Sequence, residues 1–238
     1  MSTNHTKLTW DDSGTRFYEL GVDHGILYVQ NSDGTYASGV AWNGLTSVTE
    51  SPDGAEPNDL WADNIKYATL RSAETFGGTI EAYTYPNEWA ECDGFAIPIS
   101  GANGVMLGQQ SRKSFGLYYR TQVGNDVTDE KGHIHHFVWG ATASPSERQY
   151  ETINDSPDAI TMSWEFTTVP VEVDKDHKKT SHIMIDSARL ENGDDNTQLK
   201  ALLDTIEGKT GVDDNGNDPT LPTPLAVLQA MGYETPST

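Results

Sequence analysis

Residues 113–123 read KSFGLYYRTQV, and residues 133–142 read HIHHFVWGAT. Side chains alternate across a strand, so the first run sets Phe115, Leu117 and Tyr119 on one face. Both runs are rich in aromatic and β-branched residues, which suit a pleated, packed surface. Gly124-Asn125-Asp126 between them has the chemistry of a turn. Working outward, residues 159–169 (AITMSWEFTTV) have the same character. Upstream, residues 77–85 (GGTIEAYTY) place Ile80, Ala82 and Thr84 on one side and Glu81, Tyr83 and Tyr85 on the other. Residues 65–72 (IKYATLRS) group Ile65, Tyr67 and Thr69, and residues 40–50 (VAWNGLTSVTE) add Val, Thr and Trp. These six runs predict a mainly β fold, with 25–30 and 180–186 as further strand candidates. Asn31-Ser32-Asp33-Gly34, Asp53-Gly54, Asp93-Gly94 and Asn154-Asp155-Ser156-Pro157 punctuate them as turns.

Helical signals are few. Residues 195–207 (DNTQLKALLDTIE) space Leu199, Leu202, Leu203 and Ile206 as one helix face, with Asn196 or Thr197 as cap and Gly208 as stop. Residues 224–231 start on Pro224 and end before Gly232, and 87–92 hold one or two turns behind Asn87. Residues 50–63 (ESPDGAEPNDLWAD) are acidic and lack a basic residue, and 208–222 offer few core-forming residues. Both predict loops that are mobile or ordered by a partner. The expected division is a β-rich core with an N-terminal arm over 1–174. A C-terminal extension over 175–238 carries a strand and one or two short helices.

The formal net charge of the 238 residues is −21. Phosphate binding needs clustered Lys and Arg, so nucleic-acid ligands and anionic membrane surfaces are excluded. No apolar run is long enough to span a bilayer, and the N-terminal residues lack the pattern of a secretion signal. The glycosylation triplets at Asn4 and Asn154 then carry little weight. The single cysteine, Cys92, stands among Glu88, Glu91 and Asp93. Carboxylates disfavour a thiolate, so it reads as inert.

The search for chemistry yields little. His133 and His135 share a strand face at a metal-ligand spacing, but two histidines fall short of a ligand set. Residues 213–218 (DDNGND) fail the calcium-loop pattern in the position of its glycine and glutamate. Carboxylates beside aromatics (Glu81, Glu88, Glu165) suggest a glycosidase pair only as far as so acidic a chain does by chance. Phosphate-loop, dinucleotide, nucleophile-elbow and zinc-protease motifs are missing. The expectation is a chain with no catalytic residue, cofactor or metal.

Several of these words, in order, resemble a known family. They are residues 6–11 (TKLTWD), 21–28 (GVDHGILY), 39–45 (GVAWNGL) and 47–52 (SVTESP). They continue through 61–67 (WADNIKY), 80–94 (IEAYTYPNEWAECDG), 108–120 (GQQSRKSFGLYYR) and 153–164 (INDSPDAITMSW). Residues 183–190 and 195–207 extend the likeness more loosely. Together they resemble the major tail protein, or tail-tube protein, of siphophages infecting Gram-positive bacteria. The resemblance implies a β-sandwich or barrel-like fold with a flanking helix, long loops and terminal arms. It implies homo-oligomeric rings, usually of six chains, stacked into a hollow tube through which DNA passes without specific binding. Further partners would be the tape measure, tail-tip and terminator proteins, with assembly in the bacterial cytoplasm and a final place in the virion tail. By that analogy Glu50, Asp53, Glu56, Asp59, Trp61 and Asp63 lie on an inter-ring loop between long strands at 40–50 and 65–72. Lys7, Leu8 and Trp10 belong to an N-terminal arm that helps stack rings. Three other readings stand beside it. One is a carbohydrate- or receptor-binding β-sandwich of a virion, with Trp42, Trp61 and Trp89 as platform. The others are a glycoside hydrolase and the inner-tube subunit of a tail-like contractile device.

Overall fold

The computed structural model describes residues 8–54, 56–99, 104–153, 155, 158–211 and 216–235. In chain order the strands are β1 (Phe17–Val29), β2 (Val40–Trp42), β3 (Leu45–Glu50), β4 (Asp53–Gly54), β5 (Pro57–Ala62), β6 (Ile65–Arg71), β7 (Glu74–Thr75) and β8 (Gly77–Ala82). Then follow α1 (Trp89–Cys92), β9 (Phe115–Asn125), β10 (Gly132–Ala143), β11 (Met162–Thr168), β12 (His182–Asp186), α2 (Thr197–Ile206) and α3 (Pro224–Ala230). The fold is mainly β. Eight strands form one antiparallel sheet in the order β2-β1-β9-β10-β11-β8-β3, with β12 also on β10.

The sheet curls because of β10. Ile134–Val138 pair with β12, while Ala141–Ala143 pair with β11. Between them the register against β9 slips, and Gly140 takes φ +62°. A side chain there would bring its Cβ within 2.5 Å of the Val169 carbonyl oxygen. A bulge of this kind bends a strand and increases its twist. The sheet's two ends, β2 and β3, are joined by Asn43-Gly44 alone, with Gly44 at φ +78°. The run 40–50, expected as one strand, is therefore two, and they pair at opposite ends of the sheet. Closing the ends on each other gives a barrel-like enclosure.

Inside it, Leu27, Trp42, Ile80, Phe115, Leu117, Val138, Trp164 and Phe166 pack in one cluster with Trp89 of α1. Trp89 is its hub, 4.6 Å from Trp42, 4.9 Å from Phe115 and 5.5 Å from Trp164 between ring centroids. The alternate residues of the same strands, Tyr28, Tyr118, Phe137 and Trp139, face outward under a second layer. α2 and α3 cover them with Leu202, Ile206 and Val227. Strands buried on both faces read as continuous apolar runs, as 115–119 do.

The C-terminal residues thus belong to the core. The Asn196 side chain accepts from the Gln198 and Leu199 amides and starts α2, and Thr223 caps α3 ahead of Pro224. The Tyr28 hydroxyl donates to the Ile206 carbonyl at 2.6 Å, and Trp139 Nε1 donates to the Pro222 carbonyl at 2.9 Å. The loop expected over 208–222 is corrected at its far end: Leu221 is only 5% exposed. It lies where any side chain at Gly116 would collide with it. Residues 212–215, which include the first half of the calcium-like run, and Asn154, Ser156 and Pro157 of the expected turn lie outside the described residues. β1 begins at Phe17, well before the expected 25–30. Its first half is exposed and twice bulged around Asp23, which hides the alternation.

Leu202→Ala tests whether α2 is part of the cooperative unit. The expected loss is about 2–5 kcal/mol, as for other buried leucines, seen as a lower urea midpoint at unchanged slope. An unchanged midpoint would mean that α2 does not pack on the sheet.

Candidate assembly surface

β3 and β8 are antiparallel neighbours, and the chain between them leaves the sheet as a two-stranded arm. It runs through β4 and β7 (Asp53↔Thr75, Gly54↔Glu74) into the β5–β6 ribbon. At its tip Asp63 and Asn64 take φ of 50° and 62°. Two successive left-handed residues make the tight turn that suits the twist of a hairpin. The segment 50–63, expected as a loop, is therefore largely strand. Residues 65–72 form a strand as expected, but it is the return limb of the arm and not an inner strand of the sheet. At ~3.3 Å per residue, thirteen residues from root to tip reach up to roughly 40 Å.

Every residue of β5 is exposed, and in β6 only Ala68 is partly covered. Cross-strand partners share a face. Leu60 opposite Ala68, Leu70 opposite Asn58, and Ile65 opposite Ala62 make one face apolar. The other carries Asp59, whose carboxylate accepts from Thr69 Oγ1 and pairs with Lys66 Nζ, each at 2.8 Å. Trp61, 69% exposed, stands opposite Lys66 on that side. A lone two-stranded ribbon is marginal in water, so an arm with a bare apolar face invites a covering surface.

The six arm candidates do not form one cluster. Glu50 ends β3 at the root, Asp53 is in β4, Glu56 is exposed before β5, Asp59 and Trp61 are on β5, and Asp63 is at the tip. Of the N-terminal candidates, Lys7 lies outside the described residues, while Leu8 and Trp10 are exposed. The segment is tied down just after them. The Gly14 amide donates to Asp126 Oδ1 at 3.0 Å, and the Arg16 guanidinium donates to the Asp11 carbonyl. Exposed Phe17, Tyr18 and Leu20 continue this surface. There β1 pairs with β9 on one edge, and β2 meets it only from Gly25 to Leu27. Among the described residues the other edge of Phe17–Leu20 has no strand partner. Sequence reasoning missed this edge because the bulges break its periodicity. Of the three tryptophans considered as a glycan platform, Trp42 and Trp89 are buried, which removes that platform.

The histidines separate. His133 Nδ1 faces Asp194 Oδ2 at 2.9 Å, and His135 Nδ1 meets the Tyr118 hydroxyl at 2.8 Å. Burial pushes the His135 pKa down to about 4, so that ring is neutral. The same-face pair does not converge on a point. His136, on the opposite face, meets His182 of β12 and Glu50. His136 Nδ1 lies 3.3 Å from His182 Nε2 and 3.1 Å from Glu50 Oε1, and His182 Nε2 lies 3.7 Å from Glu50 Oε1. The Tyr119 hydroxyl donates to the same Glu50 oxygen at 2.7 Å. Hydrogen bonds, first from His136 and then from Tyr119, hold the Glu50 carboxyl down at about 2. Among the described residues this is the set of three whose donor atoms could share a metal ion.

Cys92 is buried in the inner core beside Trp89. Burial, reinforced by Glu91, pushes its thiol up to about 12. The folded chain should therefore leave Cys92 unmodified by a thiol-disulfide reagent at pH 8, and one thiol per chain should appear in denaturant. Prompt reaction of the native protein would show that the inner core opens readily.

No protein-family model matches the chain, and no curated protein matches it. Among solved structures, a chain of the anti-feeding prophage baseplate, determined by cryo-electron microscopy with 6-fold symmetrisation, is similar. The identity is 9%, the likeness covers 80% of this chain and 100% of that one, and the TM-score is 0.30.

Proposed function

We propose that this chain is the structural subunit of a phage tail tube, polymerising as stacked rings, six chains to a ring, into a hollow conduit for DNA. The observation that carries the reading is the arm: a long exposed ribbon whose apolar face, with Leu60, Ile65 and Leu70, has no partner within the described chain. In the proposed tube the arm lies on a chain of the next ring and buries that face there. Each square ångström of apolar surface so removed from water contributes about 25 cal/mol. The exposed N-terminal segment and the free edge of β1 offer further surfaces for contacts between chains. Closing a ring would pair open strand edges, as barrels do.

The charge suits a conduit. A basic lumen would hold phosphates, whereas an acidic one lets DNA slide. Six chains would carry six times the −21 of one, so repulsion opposes assembly and salt relieves it. Raising the ionic strength from ~0.01 to ~1 M shortens the Debye length from ~30 to ~3 Å.

Negative-stain electron microscopy of the purified chain, across protein and salt concentration, tests the reading. Hollow tubes of constant diameter should form, and form faster as salt rises. Replacing Leu60, Ile65 and Leu70 together by Ser should change the monomer's stability by no more than ~0.5 kcal/mol per site, because these are surface positions. It should nonetheless abolish tubes. A wild-type chain that stays monomeric throughout would count against the tube. Tubes that form best at low salt would sink the electrostatic argument, and tubes from the triple variant would remove the arm from the contact.

A further inference from the structure

We propose that Glu50, His136 and His182 form a binding site for one zinc-class divalent cation, which fastens the root of the arm to β12. Their donor atoms come from the end of β3, the middle of β10 and the start of β12. Elements so distant in sequence converge only through the fold. The three separations of 3.1, 3.3 and 3.7 Å have a definite consequence. The nearest point equidistant from atoms so spaced, in their plane, lies about 2.0 Å from each, which is the bond length of zinc to imidazole nitrogen and carboxylate oxygen.

His136 Nδ1 faces both His182 Nε2 and Glu50 Oε1. A proton satisfies one of them, while a cation accepts lone pairs from all three at once. The surroundings are those of a supported ligand set. Tyr119 donates to the ligating oxygen of Glu50. His136 Nε2, the nitrogen turned away, lies 3.5 Å from Thr121 Oγ1 and 3.9 Å from Glu19 Oε1, and the Thr121 hydroxyl itself donates to Glu19. Both rings are clamped flat: His136 against Tyr119 (centroids 4.6 Å, planes 5° apart) and His182 against Phe76 (4.4 Å, 16°). A cleft of about 530 Å³ opens beside Glu50 and His136; it is lined also by Glu19 and by Asp186 and Arg189, which pair with each other at 2.7 Å. Water from that cleft can fill a fourth position, and imidazole with one carboxylate suits zinc or its cobalt substitute.

The position gives the cation a structural consequence. Glu50 is the last residue before the arm leaves the sheet, and Phe76 is the residue at which it returns. Binding there would tie both limbs of the root to β12. The inference concerns one folded chain and is independent of whether chains assemble into tubes.

The test is isothermal titration of the untagged, chelator-treated full chain with zinc chloride, repeated with cobalt chloride while the visible spectrum is recorded. One equivalent per chain should bind, raise the melting temperature, and give cobalt d–d bands of a low-coordinate nitrogen–oxygen site. Glu50→Gln, which keeps the shape of the side chain, and His182→Ala, at the edge of the core, should each abolish that equivalent while retaining the wild-type circular dichroism. His177→Ala, which alters an exposed histidine paired with Asp174, should leave it intact. The absence of a bound equivalent in the wild type would overturn the proposal. So would binding that persists undiminished in the folded Glu50→Gln and His182→Ala chains, since surface carboxylates would then account for it.

Discussion

Strand β10 gives one edge to β9 and divides the other between β12 and β11, with the bulge at Gly140 as the point of change. A straight strand could not do this. The partner beyond the bulge must leave at a new angle, and only glycine fits against Val169 in a left-handed conformation. From that one bend follow the curled sheet, the enclosed aromatic core and the outer face left for α2 and α3. The burial of both faces of β9 and β10 then makes the centre of the fold its most apolar part. Polar groups there mostly have partners, such as the Tyr28 and Trp139 donors that reach the carbonyls of the C-terminal segment, while Trp89 Nε1 and His135 Nε2 are buried without one.

The same constraint explains why the arm is where it is. β3 and β8 sit at the end of the path farthest from β2, and their connection need not cross the core. It is free to extend, and it does so with backbone hydrogen bonds satisfied across the ribbon but side chains unburied. An arrangement that satisfies hydrogen bonding without satisfying apolar surface is stable in isolation only to the extent that its root is held. Asp59, Thr69 and Lys66 help the outer ladder, but exposed ion pairs of this kind contribute about 0–1 kcal/mol.

Much of the sheet was legible in the sequence because its central strands obey one rule. Phe115, Leu117 and Tyr119 alternate into the inner core as the pattern requires, and Leu199, Leu202 and Ile206 keep the helical spacing of α2. What escaped was set by tertiary context. The Asn43-Gly44 turn is two residues in an otherwise strand-like run, and nothing local says that its two sides belong to opposite ends of a sheet. The β5–β6 ribbon has the composition of an acidic loop on one limb, so its pairing emerges only when the return limb is aligned against it. The three members of the Glu50 cluster are 46 to 132 residues apart, and the His133–His135 spacing marks the opposite face of β10.

The root of the arm joins these threads. Phe76, His182, His136 and Tyr119 form a continuous series of parallel rings running from the returning limb of the arm, through β12, into the strand pair at the centre of the sheet. Thr168 of β11 holds the Phe76 carbonyl through both its amide and its hydroxyl. The arm is thus anchored by the two strands that share β10's divided edge, β11 by hydrogen bonds and β12 by stacking. A load applied far out on the ribbon is borne by a few contacts at its base. Stiffness there must come from rings that pack without sliding and from polar atoms with fixed partners, because the arm itself buries almost nothing. Since β12 belongs to the C-terminal segment, that segment both completes the core and sets how firmly the arm is held.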